Sequence, residues 1–156
     1  MVAYNPTLNK VLYVSNGSET NLVRNPAQFV EDWKNNITRI PTGTFASTRR
    51  VQDERNALLK AKEKYKKAEV VLVGHSQAGA TVNILADKNT RGYTLDPALL
   101  KQKENPNVRN YRVQGDLVSS LANHTTTLPN PKHLGSGNVI TEPHDIENIR
   151  QQPIFV

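Results

Sequence analysis

Residues 69–80 read Glu69-Val70-Val71-Leu72-Val73-Gly74-His75-Ser76-Gln77-Ala78-Gly79-Ala80, and this stretch decides the fold. Val70, Val71, Leu72 and Val73 are apolar, three of them β-branched, as suits a buried strand. Gly74-His75-Ser76 then turns the chain, and the small residues after Gln77 open a helix. Strand, sharp turn and helix with a serine at the apex is the context in which a Gly-x-Ser-x-Gly motif carries a nucleophile. Such a turn lifts Ser76 above the sheet edge, where a base and a substrate both reach it, and the next backbone N–H points toward a developing oxyanion. Gly74, lacking a Cβ, lets the strand end close to the helix start. The second glycine of the motif is replaced by Ala78, with Gly79 just after it; alanine is still small enough for close approach. The competing reading is a small-residue strand–helix turn that binds a ligand through backbone amides.

The flanking sequence supplies more units of the same kind. Residues 10–15 read as a strand, and Asn16-Gly17 as a turn. Pro26, capped by Asn25, starts an expected helix to about residue 38 with Phe29, Val30 and Trp33 inward. Pro41-Thr42-Gly43 breaks the chain. Residues 47–66 form an expected long helix, with Val51, Leu58, Ala61 and Tyr65 on one side and basic residues on the other. The helix after the serine carries Ala80, Val82, Ile84, Leu85 and Ala86, which fits tight packing on a sheet. Residues 93–95 read as a short strand closed by Asp96-Pro97, and residues 108–113 as another, ending at Gln114-Gly115-Asp116. Residues 117–121 suit a short helix, residues 123–138 are mostly loop, and residues 139–141 suit a last strand or loop edge. Residues 145–152 read as a terminal helix with Ile146 and Ile149 inward.

No repeat or linker divides the chain, so residues 1–156 read as a single domain. Helices alternating with short apolar strands imply an α/β fold, a mainly parallel sheet with helices on both faces. In such sheets the site lies beyond the carboxyl ends of the strands. Ser18, Ser76, Asp96 and Asp116 all fall just after expected strands and gather on that edge.

Composition narrows the classes. A hydrophobic content of 37% and a charged content of 22% suit a globular protein. With no cysteine, disulfides and thiolate metal sites are excluded. The opening Met1-Val2-Ala3-Tyr4-Asn5-Pro6 has no basic stretch followed by an apolar one, which reads as no secretion signal, and no run reaches a membrane span. A cytoplasmic setting is the default expectation, and the sequons at Asn16, Asn36 and Asn123 then carry no implication. The formal charge is +6, much of it within residues 49–67. Such a run is a solvated helix face or a contact for an anionic partner.

A serine nucleophile needs an imidazole base and a carboxylate to orient it. Of four histidines, His75 lies inside the turn and points away from Ser76, while His124 and His133 sit in the polar loop. His144, in Glu142-Pro143-His144-Asp145-Ile146, lies where a proline-fixed loop feeds a helix and suits the base best; His133 is second. For the acid, Asp116 directly follows a strand. Asp96 does too, but Pro97 behind it suggests a turn role; Asp87 is expected to face solvent and Asp145 to point elsewhere. The order Ser76, Asp116, His144 matches that of α/β-hydrolases.

With these pieces the chain resembles a small, lid-less member of the α/β-hydrolase superfamily, closest to the class 3 (fungal-type) lipases. Val14-Ser15-Asn16-Gly17-Ser18 resembles that family's strand and Arg-Gly-Thr turn, with Asn16 in place of the arginine. Residues 29–33 resemble its aspartate-tryptophan helix, and residues 71–79 its Gly-His-Ser-Leu-Gly-Gly, with Gln77 in place of an apolar residue. Residues 111–118 resemble its Tyr-Arg-x-x-Gly-Asp-x-Val, and Pro143-His144 falls where its histidine would. The resemblance implies a three-layer sandwich, and a triad of Ser76, Asp116 and His144. It further implies an oxyanion hole from the backbone N–H groups of Ser18 and Gln77. The implied activity is hydrolysis of acyl or lipid esters, with a small ester or lipid substrate and neither metal nor organic cofactor; separately, the +6 charge favours an anionic membrane surface as a partner. A nucleic acid partner belongs instead to the rival expectation, a degenerate hydrolase fold whose basic segment 49–67 binds nucleic acid or anionic lipid.

Overall fold

The computed structural model describes residues 1–15, 45–98, 105–116, 119 and 126–128. Five strands form the body of one sheet: β1 (Val2–Asn5), β2 (Lys10–Val14), β3 (Glu69–His75), β4 (Thr90–Leu95) and β5 (Val108–Val113). A three-residue β6 (Thr126–Leu128) extends it, and the spatial order is β1-β2-β3-β4-β5-β6. β1 pairs antiparallel with β2; every other pairing is parallel. Two helices are described, α1 (Arg49–Lys64) and α2 (Gln77–Leu85), with a 3-10 turn at Phe45–Ser47 ahead of α1. The sheet is therefore mixed but mainly parallel, and with its helices it belongs to the α/β class.

Both described helices cover the same sheet face. The register aligns Val11 with Val70, Tyr13 with Leu72, Leu72 with Gly92 and Gly92 with Val108, so these side chains share one surface, and all are buried. α1 lays Val51, Leu58 and Ala61 into the core formed there, and α2 adds Ala80, Val82 and Leu85. Three features show why these residues sit where they do. Thr48, extended at φ −64° and ψ 146°, accepts the Val51 N–H and starts α1. The Tyr13 hydroxyl donates to Glu54 Oε2 at 2.5 Å, tying β2 to α1; burial first, then the Glu54 carboxylate, raise its pKa. A Cβ on Gly92 would lie 2.8 Å from both Val82 and Val108, so glycine permits α2 to approach the sheet.

The basic segment behaves as a solvated face: Arg49, Arg55, Lys60, Lys64, Lys66 and Lys67 are exposed. Tyr65 is half-buried and stacks on Tyr4 at 4.6 Å between ring centroids, which anchors β1 to the end of α1. A groove of about 340 Å³, lined by residues such as Ala3, Tyr4, Leu12 and Val71, opens beside β1.

Several expectations are extended or corrected. β1 lies in residues read only for a signal sequence, and β4 begins at Thr90, three residues earlier than its apolar pattern suggests. β6 falls inside residues 123–138, expected to be loop; its three residues are strand because the edge of β5 offers them a ladder. The expected helices over residues 26–38 and 145–152, and with them any helical layer on the second face, lie outside the described residues. No described helix is long and apolar enough to cross a membrane.

Candidate active site

Ser76 directly follows β3 and is the N-cap residue of α2, at φ 57° and ψ −125°. Few non-glycine residues adopt a positive φ, and for serine it stores strain on the order of 1–3 kcal/mol. Three backbone hydrogen bonds hold it there. The Ser76 N–H donates to the Leu95 carbonyl at 3.1 Å, and the Ser76 carbonyl accepts from Gly79 at 2.9 Å and from Ala98 at 3.1 Å. The turn is thus clamped between its own helix and the end of β4. Ser76 itself is 7% exposed.

The glycines divide the steric work. A Cβ at Gly74 would lie 2.4 Å from the Ala78 carbonyl oxygen, so only glycine lets β3 end against the first turn of α2. Ala78, in the motif's second glycine position, is fully buried. The close approach expected there is made one residue later: a Cβ at Gly79 would lie 2.7 Å from Pro97 Cβ. Gln77, the first residue of α2, has an N–H without an intrahelical acceptor, as every helix start does. Its side-chain Oε1 accepts from Arg50 Nη1 at 3.0 Å, so the first turns of α1 and α2 meet beside Ser76.

Asp116 lies three residues past β5, is 2% exposed, and accepts at Oδ2 from the Ser119 N–H at 2.8 Å and from the Ser119 hydroxyl. The positive φ of Gly115, 89°, shapes the turn that delivers it. Ser76 and Asp116 therefore stand past the carboxyl ends of β3 and β5, the two strands that flank β4. Ser18 and His144, the expected oxyanion donor and base, lie outside the described residues, as do His124 and His133.

Asp96, whose position before Pro97 suggests a turn role, is 0% exposed. It adopts φ 42°, and its Oδ1 accepts the Val113 N–H at 2.7 Å and the Ser119 hydroxyl at 3.4 Å. Burial first, and then the charge of Asp116, push its pKa from 3.8 up to about 8. The sequence sets both aspartates after expected strands, but only the strand order makes those strands neighbours. Asp87 was expected in solvent and is exposed. Burial pushes its carboxyl up, but hydrogen bonds from Lys62, Thr90 and Asn89 outweigh that and lower it to about 2.

A buried amide network backs the site. Asn83 Nδ2 of α2 donates to the Gly79 carbonyl and to Asn110 Oδ1 of β5, each at 2.9 Å, and the Thr94 hydroxyl of β4 donates to Asn110 Oδ1 at 2.5 Å. It joins the helix that carries the serine to the strand that leads to Asp116. Among the described residues no group of three or more His, Asp or Glu side chains is arranged to hold a metal ion. No family model matches this chain, and neither a curated protein nor a solved structure matches it.

Proposed function

We propose that this chain is a serine hydrolase of carboxylic esters, built as a three-layer α/β-hydrolase-like sandwich, with Ser76, His144 and Asp116 as its triad. The observation that carries the reading is the backbone of Ser76: a strained serine at φ 57°, raised between a parallel strand and a helix, and locked by three hydrogen bonds. Strain of this kind clusters where a side chain must be presented to a ligand. In the reaction Ser76 Oγ attacks the ester carbonyl while the imidazole of His144 takes its proton. Asp116 orients that imidazole and stabilises its cation. The N–H groups of Gln77 and Ser18 bind the oxyanion, on the order of 3 kcal/mol each. The tetrahedral intermediate expels the alcohol, which receives the proton from His144. Water, deprotonated by the same imidazole, then attacks the acyl carbonyl, and the acid leaves as Ser76 Oγ takes that proton back from His144.

A fluorophosphonate probe should label Ser76, and the parent should cleave p-nitrophenyl butyrate. Ser76→Ala and His144→Ala should each abolish both, whereas His133→Ala should leave them intact. Undiminished ester cleavage by Ser76→Ala would end this reading. The exposed cations of α1 favour a second reading, a module that binds anionic lipid or nucleic acid through Arg55, Lys60 and Lys64. It expects no probe labelling and binding that weakens steeply with salt.

A further inference from the structure

Two carboxyl groups are buried together past the carboxyl ends of β4 and β5. Asp96 ends β4 and Asp116 follows β5; the Asp96 N–H donates to the Tyr111 carbonyl at 2.8 Å, and Val113 N–H returns a bond to Asp96 Oδ1 at 2.7 Å. The Ser119 hydroxyl touches both carboxyl groups. Ser119 thus bridges the two, and among the described residues Asp96 Oδ2, wholly buried, receives no N–H or O–H. An ionised oxygen in that position would be shut off from bulk solvent with no donor among the described residues, a costly state. A protonated one becomes a donor itself, and the neighbouring acceptor is Asp116. We infer that Asp96 is a positioning residue: as a neutral carboxylic acid it donates to Asp116, so that the pair shares one proton and Asp116 is held ionised in a fixed orientation.

The inference deepens the hydrolase reading and rests on it for its catalytic consequence, since a fixed Asp116 is what would orient the imidazole of His144. The proton balance is simple: one proton stays on the pair throughout the cycle, and none is passed to substrate. Among the described residues Asp116 supplies the charge that acts on Asp96; β5 otherwise presents the Tyr111 carbonyl and Val113 N–H, and the following loop the Ser119 hydroxyl. Burial, followed by that charge, places its titration near pH 8. Above that pH two like charges face each other and the arrangement loosens.

The test combines spectroscopy with kinetics on the full chain. Infrared difference spectra of the parent against Asp96→Asn should contain a protonated-carboxyl band at pH 7 that disappears with a midpoint near pH 8. In the parent, kcat/KM for p-nitrophenyl butyrate should carry an alkaline limb that Asp96→Asn lacks. Asp96→Gly, which keeps the positive φ accessible but removes the donor, should fall about tenfold or more below Asp96→Asn. Absence of the band at pH 7, or its persistence in Asp96→Asn, overturns the assignment. Equal rates for the Asn and Gly variants overturn it as well. If Ser76 neither labels nor cleaves ester, the hydrolase reading fails on its own, and the infrared result still decides the state of Asp96.

Discussion

At the scale of single residues, Gly74 and Ser76 depend on each other. The serine holds its conformation only because the strand before it runs directly into the first turn of α2, and a side chain at position 74 would collide with the Ala78 carbonyl. Backbone cannot yield as a flexible side chain can, so Gly74→Ala should destabilise by about 1–3 kcal/mol, toward the upper end. Urea unfolding measures this; an unchanged midpoint would mean that α2 starts elsewhere. This part of the site was legible from residue types, because the steric rule involved spans only five residues. Asp96 was not. Its proline neighbour points to a turn, and only the packing of β4 against β5 reveals that the turn is internal.

At the scale of elements, β4 and β5 meet α2 through polar as well as apolar contacts. Thr94, Asn110 and Asn83 are all buried, and each satisfies another. Removing the central member leaves the Thr94 hydroxyl without its acceptor, so Asn110→Ala should cost about 1–3 kcal/mol. The Asn110→Ala, Thr94→Val double variant should cost less than the sum of its parts, since the second change removes the stranded donor. Strict additivity in denaturant melts would show that the three side chains act independently. The element pattern was readable where burial imposed a period, as in β3 and α1. It failed for β1 and β6, four and three residues long, which exist by pairing with a neighbour rather than by their own composition.

At the scale of the whole molecule, two carboxylates should bend the stability curve in opposite senses. Asp87, salt-bridged to Lys62 at 2.8 Å, titrates near 2 instead of 3.8. Its folded form binds the proton less tightly than the unfolded chain, so its contribution is complete above about pH 4 and is lost as pH falls through 2. Lys62→Met should flatten that acid limb in pH-dependent melts. Asp96 titrates near 8 instead of 3.8, so the folded state keeps a proton that the unfolded chain has released. Stability should therefore decline from about pH 4 to about pH 8 and level off above. Asp96→Asn should remove the decline, and its advantage over the parent should grow toward pH 8. A parent whose melting point is flat across that window would contradict the buried neutral acid.

From sequence alone came the alternation of strand and helix, the turn that carries Ser76 and the inward face of α1. These follow from sterics and hydrophobic periodicity acting over a few neighbouring residues. Tertiary structure alone decided that Asp96 and Asp116, twenty positions apart, would be buried against one Ser119 hydroxyl, and that Arg50 would reach Gln77. Such meetings depend on strand order and register, which no local pattern encodes. The cost of burying charge then determines what the assembled groups can do.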